Sequence, residues 1–269
     1  MSLFDLFLKY FFKKKIGLAL SGGAARGFAH IGVLKILKDN NIPINYIAGV
    51  SAGAIIGAIF AAGMDPNKME TEAKKLVWFK FLRIPFGRIG ILANDEVEKF
   101  IIEEIGNKNI SDLKIPFAAV ATDLRSGEYV VMTEGKVAKA AATSSAFPGI
   151  FSGVNQDPHF LVDGGIVCNL PTPVVRKMGA DFVIAVDVVP GKPIKHDPQN
   201  QFETLGRSYD LMVHNLSYEN RRSADVLIEP EIPEDVWHFD IDKAPRLIKA
   251  GEEAAKKKIP EIKAKLLLN

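Results

Sequence analysis

The sequence predicts a single α/β domain in which helices flank a largely parallel central sheet. Short apolar segments with the length of buried strands alternate with helical segments over most of the 269 residues. The first two of these strands are each followed by a glycine-containing turn and then a helix. That order is typical of parallel sheets, because parallel neighbours need a crossover connection. A chain of this length can also bury a full hydrophobic core.

The composition excludes several classes of function. Hydrophobic residues make up 48% and charged residues 25% of the chain, as in ordinary globular proteins. The net charge is +2, and no run of aromatic residues is interleaved with lysine and arginine, so we expect no nucleic-acid partner. The single cysteine, Cys168, excludes an internal disulfide framework and a cysteine–histidine metal cluster. We therefore expect no cofactor or metal, a buried apolar role for Cys168 and a reducing, cytoplasmic location.

Residues 1–15 form an N-terminal segment ahead of a domain that we place at 16–269. The segment begins with the apolar run MSLFDLFLKYFF and ends with the three lysines Lys13–Lys15. This order is the reverse of a secretory signal, and the run is shorter than the ~20 residues of a transmembrane helix. Its apolar residues recur at helical spacing, as in an amphipathic helix that lies in a membrane surface. Two interpretations stay open: peripheral membrane contact through residues 3–15, or packing on the domain or on a second subunit.

The first strand and helix of the domain enclose a glycine-rich loop. Ile16–Leu20 predicts a buried strand, residues 21–27 (SGGAARG) a turn, and Phe28–Lys38 a helix. Such a loop exposes backbone N–H groups that can bind an anion. A dinucleotide pyrophosphate would require glycine at the position of Ala24 and an acidic residue after the next strand, and neither is present. The loop therefore indicates a site for an oxyanion beside a nucleophile.

The second strand leads into Gly49-Val50-Ser51-Ala52-Gly53, which has the Gly-x-Ser-x-Gly pattern of a nucleophile elbow. In an elbow the serine lies at the apex of a strained turn, and Gly49 and Gly53 let the strand and helix pass closely. The N-terminus of the following helix directs its N–H groups toward negative charge near Ser51. The pattern is common, and a turn of small residues between a closely packed strand and helix is the simpler alternative.

The rest of the chain continues the alternation of helices and strands. Residues 79–92 are apolar and basic and are interrupted by proline and glycine, which indicates a mobile cover over an acyl pocket or a loop at the core edge. One strand ends in Asp163-Gly164-Gly165, which by itself is most often a turn. The predicted helices are 54–62, 69–81, 95–105, 137–142, one from 172, 204–222 and 244–267, the last broken at Pro260. The predicted strands are 117–121, 128–132, 160–163, 182–188 and 226–229.

Four segments together resemble the patatin-like phospholipases, in particular the short bacterial members. They are residues 20–34 (LSGGAARGFAHIGVL), the Gly-Val-Ser-Ala-Gly elbow, Ser145-Ala146-Phe147-Pro148 and Val162-Asp163-Gly164-Gly165. The resemblance covers residues 16 to 190 and implies a three-layer patatin-like domain that hydrolyses acyl esters of phospholipids or lysophospholipids. It also implies a serine–aspartate dyad, with Ser51 as nucleophile and Asp163 as base. The implied oxyanion hole consists of Gly22, Gly23, Ala24, Arg26 and Gly27.

Such a dyad has to work without histidine. Asp163 would accept the Ser51 proton and return it to the leaving alcohol, yet an aspartate near its reference pKa of ~3.9 is a weak base. We expect partial burial to raise that pKa. None of the five histidines lies in a motif that marks a triad member.

Two residues of the implied oxyanion hole, Ala24 and Arg26, raise separate questions. The family's usual third glycine is Ala24 here, which keeps the backbone N–H but makes a positive φ costly. Arg26 could pair with a carboxylate and hold the loop, or meet a lipid phosphate, and we favour the first role.

Three functions stay open from the sequence. The first is an esterase or phospholipase that acts on acyl lipids. The second is a catalytically silent protein with a lipid-binding or regulatory role, since a fold does not guarantee its chemistry. The third is a nucleotide-binding domain, which Ala24 and the missing acidic residue disfavour. Covalent labelling of Ser51 distinguishes the first two, and a cofactor titration tests the third.

Overall fold

The central element of the described part of the chain is a mixed eight-stranded sheet. The computed structural model describes residues 14–76, 95–189, 191, 197–238 and 240–267. The strands are β1 (Ile16–Leu20), β2 (Tyr46–Val50), β3 (Phe117–Asp123), β4 (Tyr129–Met132), β5 (Val154–Gln156), β6 (His159–Asp163), β7 (Phe182–Val186) and β8 (Val226–Ile228). They follow the order β5-β6-β3-β2-β1-β7-β8, and β4 pairs with β3 beside this path. Strands β3, β2, β1, β7 and β8 pair in parallel, whereas β4, β5 and β6 form antiparallel pairs.

Helices cover both faces of this sheet and complete three layers. They are α1 (Phe28–Asp39), α2 (Ala52–Ala61), α3 (Pro66–Leu76), α4 (Asp95–Ile105), α5 (Val137–Ser144), α6 (Thr172–Lys177), α7 (Gln201–Leu216), α8 (Tyr218–Arg222) and α9 (Ala244–Leu267). Buried side chains of α1, α2, α5 and α9 pack on one face, and those of α6 pack on the other. The predicted α/β class, with a largely parallel sheet between helices, is therefore confirmed.

The strand sequences explain why the two faces differ. In β1, Leu18 and Leu20 point into the larger core cluster, and Ala19 between them points into the smaller one. Strand β3 repeats the alternation, because successive side chains of a strand face opposite sides of the sheet. The smaller cluster is lined mainly by alanine and valine and also contains Cys168, which is buried as predicted. Small side chains on this face leave room for α6 to pack closely.

Strand register brings the predicted site segments to one edge of the sheet. Leu20 at the end of β1 pairs with Gly49 of β2, so the loop after β1 starts beside the serine turn. Val50 pairs with Val120, and the next residue of β3, Ala121, pairs with Asp163 of the antiparallel β6. Val50 and Asp163 are therefore aligned on consecutive positions of β3, and Ser51 follows Val50 directly.

Helices α1 and α9 cross closely at two glycines. A Cβ atom on Gly32 of α1 would lie 1.9 Å from the carbonyl oxygen of Ile248 in α9. Likewise, a Cβ on Gly251 of α9 would lie 1.9 Å from the carbonyl oxygen of Ala29. Any side chain at either position would force the backbones apart, so this crossing depends on glycine.

Two predicted helix boundaries are wrong. The single helix 204–222 is two helices, α7 and α8, because Ser217 leaves helical geometry while its N–H still bonds to Val213. The break at Pro260 does not occur, and α9 runs through it. Proline has no N–H, so one carbonyl in the preceding turn of the helix loses its helical hydrogen bond, and because Pro260 is exposed this carbonyl can bond to water instead. The neighbouring side chains of Ile259 and Ile262 are buried in the core and keep the helix in place on both sides of the proline. Strand β5 was not expected from the sequence.

Several expectations concern residues outside the described ranges. The apolar N-terminal segment, apart from its last residues, and the apolar stretch 79–92 both lie there. Within the described ranges, no helix has the length and apolar character required to cross a membrane. Over those same residues, no three histidine, cysteine, aspartate or glutamate side chains are grouped so that they could hold a metal ion.

Candidate active site

Ser51 occupies a sharp turn between β2 and α2. Its backbone has φ 51° and ψ −124°, a strained conformation for a residue with a side chain. A Cβ on Gly49 would lie 2.4 Å from the Gly53 carbonyl oxygen, and one on Gly53 would lie 2.5 Å from the Leu20 carbonyl oxygen. The two glycines predicted to flank the serine therefore permit the close approach of strand, helix and loop that holds Ser51 at the apex.

A second serine holds this turn in place. The Ser51 N–H donates to Oγ of Ser144 at 3.0 Å, and that hydroxyl donates to the Val120 carbonyl at 2.6 Å. Ser144 is fully buried at the end of α5. Ser144 was assigned no role from the sequence, because nothing in a single sequence shows which backbone amide a distant hydroxyl contacts.

Asp163 ends β6 with a carboxyl group that is almost completely buried, at 1% exposure. Burial raises its pKa from an ordinary 3.8 to about 6. A hydrogen bond from the Ser51 side chain and one from the Gly165 N–H, at 2.8 Å, act in the opposite direction and favour the carboxylate. The structure thus brings the two predicted dyad residues into hydrogen-bonding contact, and burial raises the pKa of Asp163 as expected.

Some backbone N–H groups of the glycine-rich loop donate to acceptors within the protein, and others do not. The Gly22 N–H donates to the Asn169 carbonyl at 3.3 Å, and the Arg26 N–H donates to the Gly23 carbonyl at 3.0 Å. In the described part of the chain, no protein acceptor is found for the N–H groups of Gly23 and Ala24. Of the residues predicted to form an oxyanion hole, these two therefore keep donors available for an anion.

Ala24 adopts the positive φ that the sequence marked as costly, with a value of 50°. The residue is exposed, so its methyl group extends away from the core. Gly27 at the far end of the loop allows a different close contact, because a Cβ there would lie 2.4 Å from the Cβ of Ala52. The loop consequently lies directly against the N-terminus of α2.

Arg26 holds the loop through a buried ion pair. Its Nη1 lies 2.8 Å from Oδ1 of Asp210 in α7, and each side chain is only 3% exposed. The same carboxylate oxygen contacts Nε2 of His238 at 3.0 Å, and the His238 carbonyl accepts the Ala25 N–H at 2.9 Å. The prediction that Arg26 pairs with a carboxylate is confirmed. The sequence could not identify Asp210 as the partner.

Two side chains that the sequence left without a role, Tyr209 and Asn169, lie beside Gly165 together with the Asp163 carboxylate. A Cβ on Gly165 would lie 2.5 Å from the Tyr209 hydroxyl, 2.8 Å from Oδ1 of Asn169 and 3.1 Å from Oδ1 of Asp163. The Tyr209 ring meets the edge of Phe147 with centroids 4.9 Å apart. Glycine at position 165 thus allows Tyr209 and Asn169 to approach the Asp163 carboxylate.

Within the described residues, no histidine contacts Ser51 or Asp163. Burial lowers the pKa of His30 to about 4, so its ring is neutral, and its Nε2 lies 2.9 Å from the Ser21 carbonyl. His196 lies outside the described residues. The other three histidines contact Asp123, Arg221 and Asp210, and they are His159, His214 and His238.

The chain is similar in sequence to known proteins. Residues 18–176 match the sequence profile of the family described as Patatin-like phospholipase. Neuropathy target esterase sws of Drosophila melanogaster is 34% identical over 181 residues, which are 64% of this chain. Lysophospholipase NTE1 of Coccidioides immitis (strain RS) is 31% identical over 205 residues, which are 74% of this chain. The aligned region is 13% of the length of each of these relatives.

A solved structure resembles the whole fold. VipD from Legionella pneumophila superimposes with a TM-score of 0.55 over 91% of this chain and 66% of that chain. The two sequences are 15% identical in this alignment, so the likeness concerns the fold alone.

Proposed function

Because the chain belongs to the patatin-like phospholipase family, we propose that it is a serine acyl hydrolase acting on (lyso)phospholipids or related acyl lipids. It cleaves their carboxylic ester bonds through a dyad of Ser51 and Asp163. The observation that carries this proposal is the contact between the Ser51 hydroxyl and the buried Asp163 carboxylate, beside a loop with available N–H donors. The names of the two relatives, an esterase and a lysophospholipase, support the same reaction class.

In the acylation step, Ser51 Oγ attacks the ester carbonyl while Asp163 accepts the hydroxyl proton. A pKa of about 6 makes the Asp163 carboxylate a stronger base than an exposed aspartate, while leaving it mostly ionised at neutral pH. The negative oxygen of the tetrahedral intermediate receives hydrogen bonds from the N–H groups of Gly23 and Ala24. Each donor of this kind lowers a barrier by ~3–4 kcal/mol in comparable sites.

Collapse of the intermediate releases the alcohol and leaves the acyl group on Ser51. The C–O bond to the alcohol breaks, and Asp163 returns the proton to the departing oxygen. Water then attacks the acyl carbon while Asp163 accepts a proton from it; the bond to Ser51 Oγ breaks, Asp163 returns the proton to Ser51, and the fatty acid leaves. We further propose a cytoplasmic location, with peripheral contact between residues 3–15 and the membrane that supplies the substrate.

Covalent labelling and turnover test the nucleophile together. A fluorophosphonate probe is expected to modify Ser51, and Ser51→Ala is expected to lose both labelling and hydrolysis of a lysophospholipid. Ser145→Ala is the matched control, because among the described residues the Ser145 hydroxyl bonds to the Ala141 carbonyl of the preceding helix α5 and to no residue of the dyad, and should be dispensable. Labelling that persists in Ser51→Ala would contradict the assignment. A folded wild-type protein that neither reacts with the probe nor hydrolyses any ester would favour a catalytically silent lipid-binding protein.

A further inference from the structure

Tyr209 places a phenol hydroxyl beside the Asp163 carboxylate. Its hydroxyl oxygen and Asp163 Oδ1 both lie within 3.1 Å of the point where Gly165 would carry a Cβ. The negative charge of Asp163 is also among the causes that raise the pKa of Tyr209, after burial. Tyr209 therefore borders the dyad, although it reaches the site from α7, a helix that provides none of the residues of the four motifs.

The position of this hydroxyl is fixed from three sides. The next residue, Asp210, is anchored to Arg26 by the buried ion pair. Phe147 meets the Tyr209 ring at an interplanar angle of 77°, an edge-on arrangement that aromatic pairs prefer. Gly165 leaves the space that the hydroxyl occupies. A side chain constrained in this way has little conformational freedom left to lose when it binds a ligand.

The Tyr209 phenol keeps its proton and can therefore donate a hydrogen bond. Burial and the charges of Asp163 and Asp210 raise its pKa above the usual value, so the proton stays on the oxygen. In the described part of the chain, no hydrogen-bond partner is found for this hydroxyl, although the side chain is partly buried. A partly buried donor without a protein partner, next to a catalytic carboxylate, is suited to a polar atom of the substrate.

We propose that Tyr209 binds the oxygen of the alcohol that leaves during acylation, an inference that rests on the proposed function. As the C–O bond breaks, its electron pair moves to the alcohol oxygen, and Asp163 delivers the proton that it took from Ser51. Tyr209 keeps its own proton and donates a hydrogen bond to the same oxygen while negative charge accumulates there. This contribution is largest for esters of alkyl alcohols such as glycerol, because an alkoxide is a far poorer leaving group than an aryl oxide.

The experiment compares two esters with one acyl chain, a glycerol ester and a 4-nitrophenyl ester, in the variant Tyr209→Phe. Phenylalanine keeps the ring that meets Phe147 and removes only the hydroxyl. We expect kcat/KM, which reports acylation for both substrates, to fall ~10- to 100-fold for the glycerol ester. The value for the nitrophenyl ester should change less than ~3-fold, because its leaving group needs no such assistance. The ratio of kcat/KM for the glycerol ester to kcat/KM for the nitrophenyl ester, measured on the same protein preparation, does not depend on the fraction of protein that is folded.

Phe147→Leu is a graded companion variant, since it loosens the ring contact but keeps the phenol. The constant for the glycerol ester should again fall more than that for the nitrophenyl ester, but by a smaller factor than in Tyr209→Phe. An unchanged ratio in Tyr209→Phe, whether both constants fall equally or neither falls, would overturn the proposal while leaving the nucleophile in place. Failure of the proposed function is distinguishable, because wild-type protein would then show neither Ser51 labelling nor turnover of either ester.

Discussion

Ser144 and Ser51 are joined by a hydrogen bond in which the buried Ser144 hydroxyl accepts the backbone N–H of Ser51. The same hydroxyl donates to the Val120 carbonyl, so one side chain connects the serine turn to the central strand β3. Ser144 therefore supports the strained φ of Ser51 without reaching any position where substrate would bind.

Removing this hydroxyl should destabilise the fold and disturb the turn. Ser144→Ala leaves the Ser51 N–H and the Val120 carbonyl without their partner, a loss expected to lower the free energy of unfolding by ~1–3 kcal/mol. Turnover should fall as well, because Ser51 is no longer held at its apex. Urea denaturation and ester hydrolysis measure the two effects. Ser145→Ala should change each much less, and equal behaviour of the two variants would show that the Ser144 bond is not important.

The pH dependence of activity should report the titration of Asp163. Only the ionised carboxylate can accept the Ser51 proton, and its pKa is raised to about 6. We therefore expect kcat/KM to rise with pH through an acid limb centred near 6, and to reach a plateau above pH 7. A limb centred near 4, the ordinary value for aspartate, would contradict the effect of burial.

The same pKa predicts a stability change in Asp163→Asn. The folded protein binds the Asp163 proton more tightly than the unfolded chain does. Protonation of Asp163 therefore contributes fully to stability below pH 4, and this contribution is lost as pH rises through 6. The neutral amide has no ionised form to destabilise the fold. Asp163→Asn should therefore exceed wild type in unfolding free energy by up to ~3 kcal/mol above pH 7, with no excess below pH 4. Denaturant titrations at both pH values check the sign, and activity should be lost at both.

The buried ion pair of Arg26 and Asp210 should contribute more to the free energy of unfolding than an exposed ion pair does. Asp210→Asn leaves the Arg26 guanidinium buried without a countercharge, which should cost ~3–5 kcal/mol of unfolding free energy. Asp157→Asn is the comparison, because the Arg125–Asp157 pair lies at the surface with Asp157 92% exposed. Its loss should cost less than ~1 kcal/mol. Equal values from denaturant unfolding would show that the loop does not depend on Asp210.

The N-terminal segment can be tested by deletion of residues 2–12. If its apolar face enters a bilayer, deletion should weaken binding to anionic vesicles, since each large side chain contributes ~1.5–3 kcal/mol when fully buried. Hydrolysis of a soluble short-chain ester should be retained. A vesicle co-sedimentation assay and the ester assay separate the effects. A lower melting temperature, or a changed oligomeric state with negligible vesicle binding before deletion, would instead identify a packing element.

The sequence predicts those parts of the site that are contiguous in the chain. The elbow around Ser51 and the loop around Gly23 each consist of a strand, a short turn and a helix, so residue spacing alone indicates them. Asp163 was indicated only by the family resemblance, because an Asp-Gly-Gly at the end of an apolar strand is by itself most often a turn. Its raised pKa was also expected, because partial burial disfavours the ionised carboxylate.

The rest of the site depends on contacts between distant positions. Ser144 meets Ser51 across 93 positions, and Arg26 meets Asp210 across 184. No local pattern encodes such a pairing. The sequence therefore predicted that Arg26 pairs with a carboxylate but could not identify which one. The same reason left Tyr209 and Asn169 without a role. At Pro260 a local rule gave the wrong answer, because burial of the flanking residues outweighs one lost hydrogen bond on an exposed side.

The glycine crossing of α1 and α9 has a consequence for how the protein is made. Helix α1 follows the glycine-rich loop directly, and its packing surface includes a helix that begins at Ala244. During synthesis, the ribosome must therefore add more than two hundred residues before α1 can meet its partner. Until then the loop and α1 lack one wall of their core, and closing so long a segment of chain is slow. If the proposed hydrolase requires this packing, its activity should emerge late in synthesis, after α9 has left the ribosome.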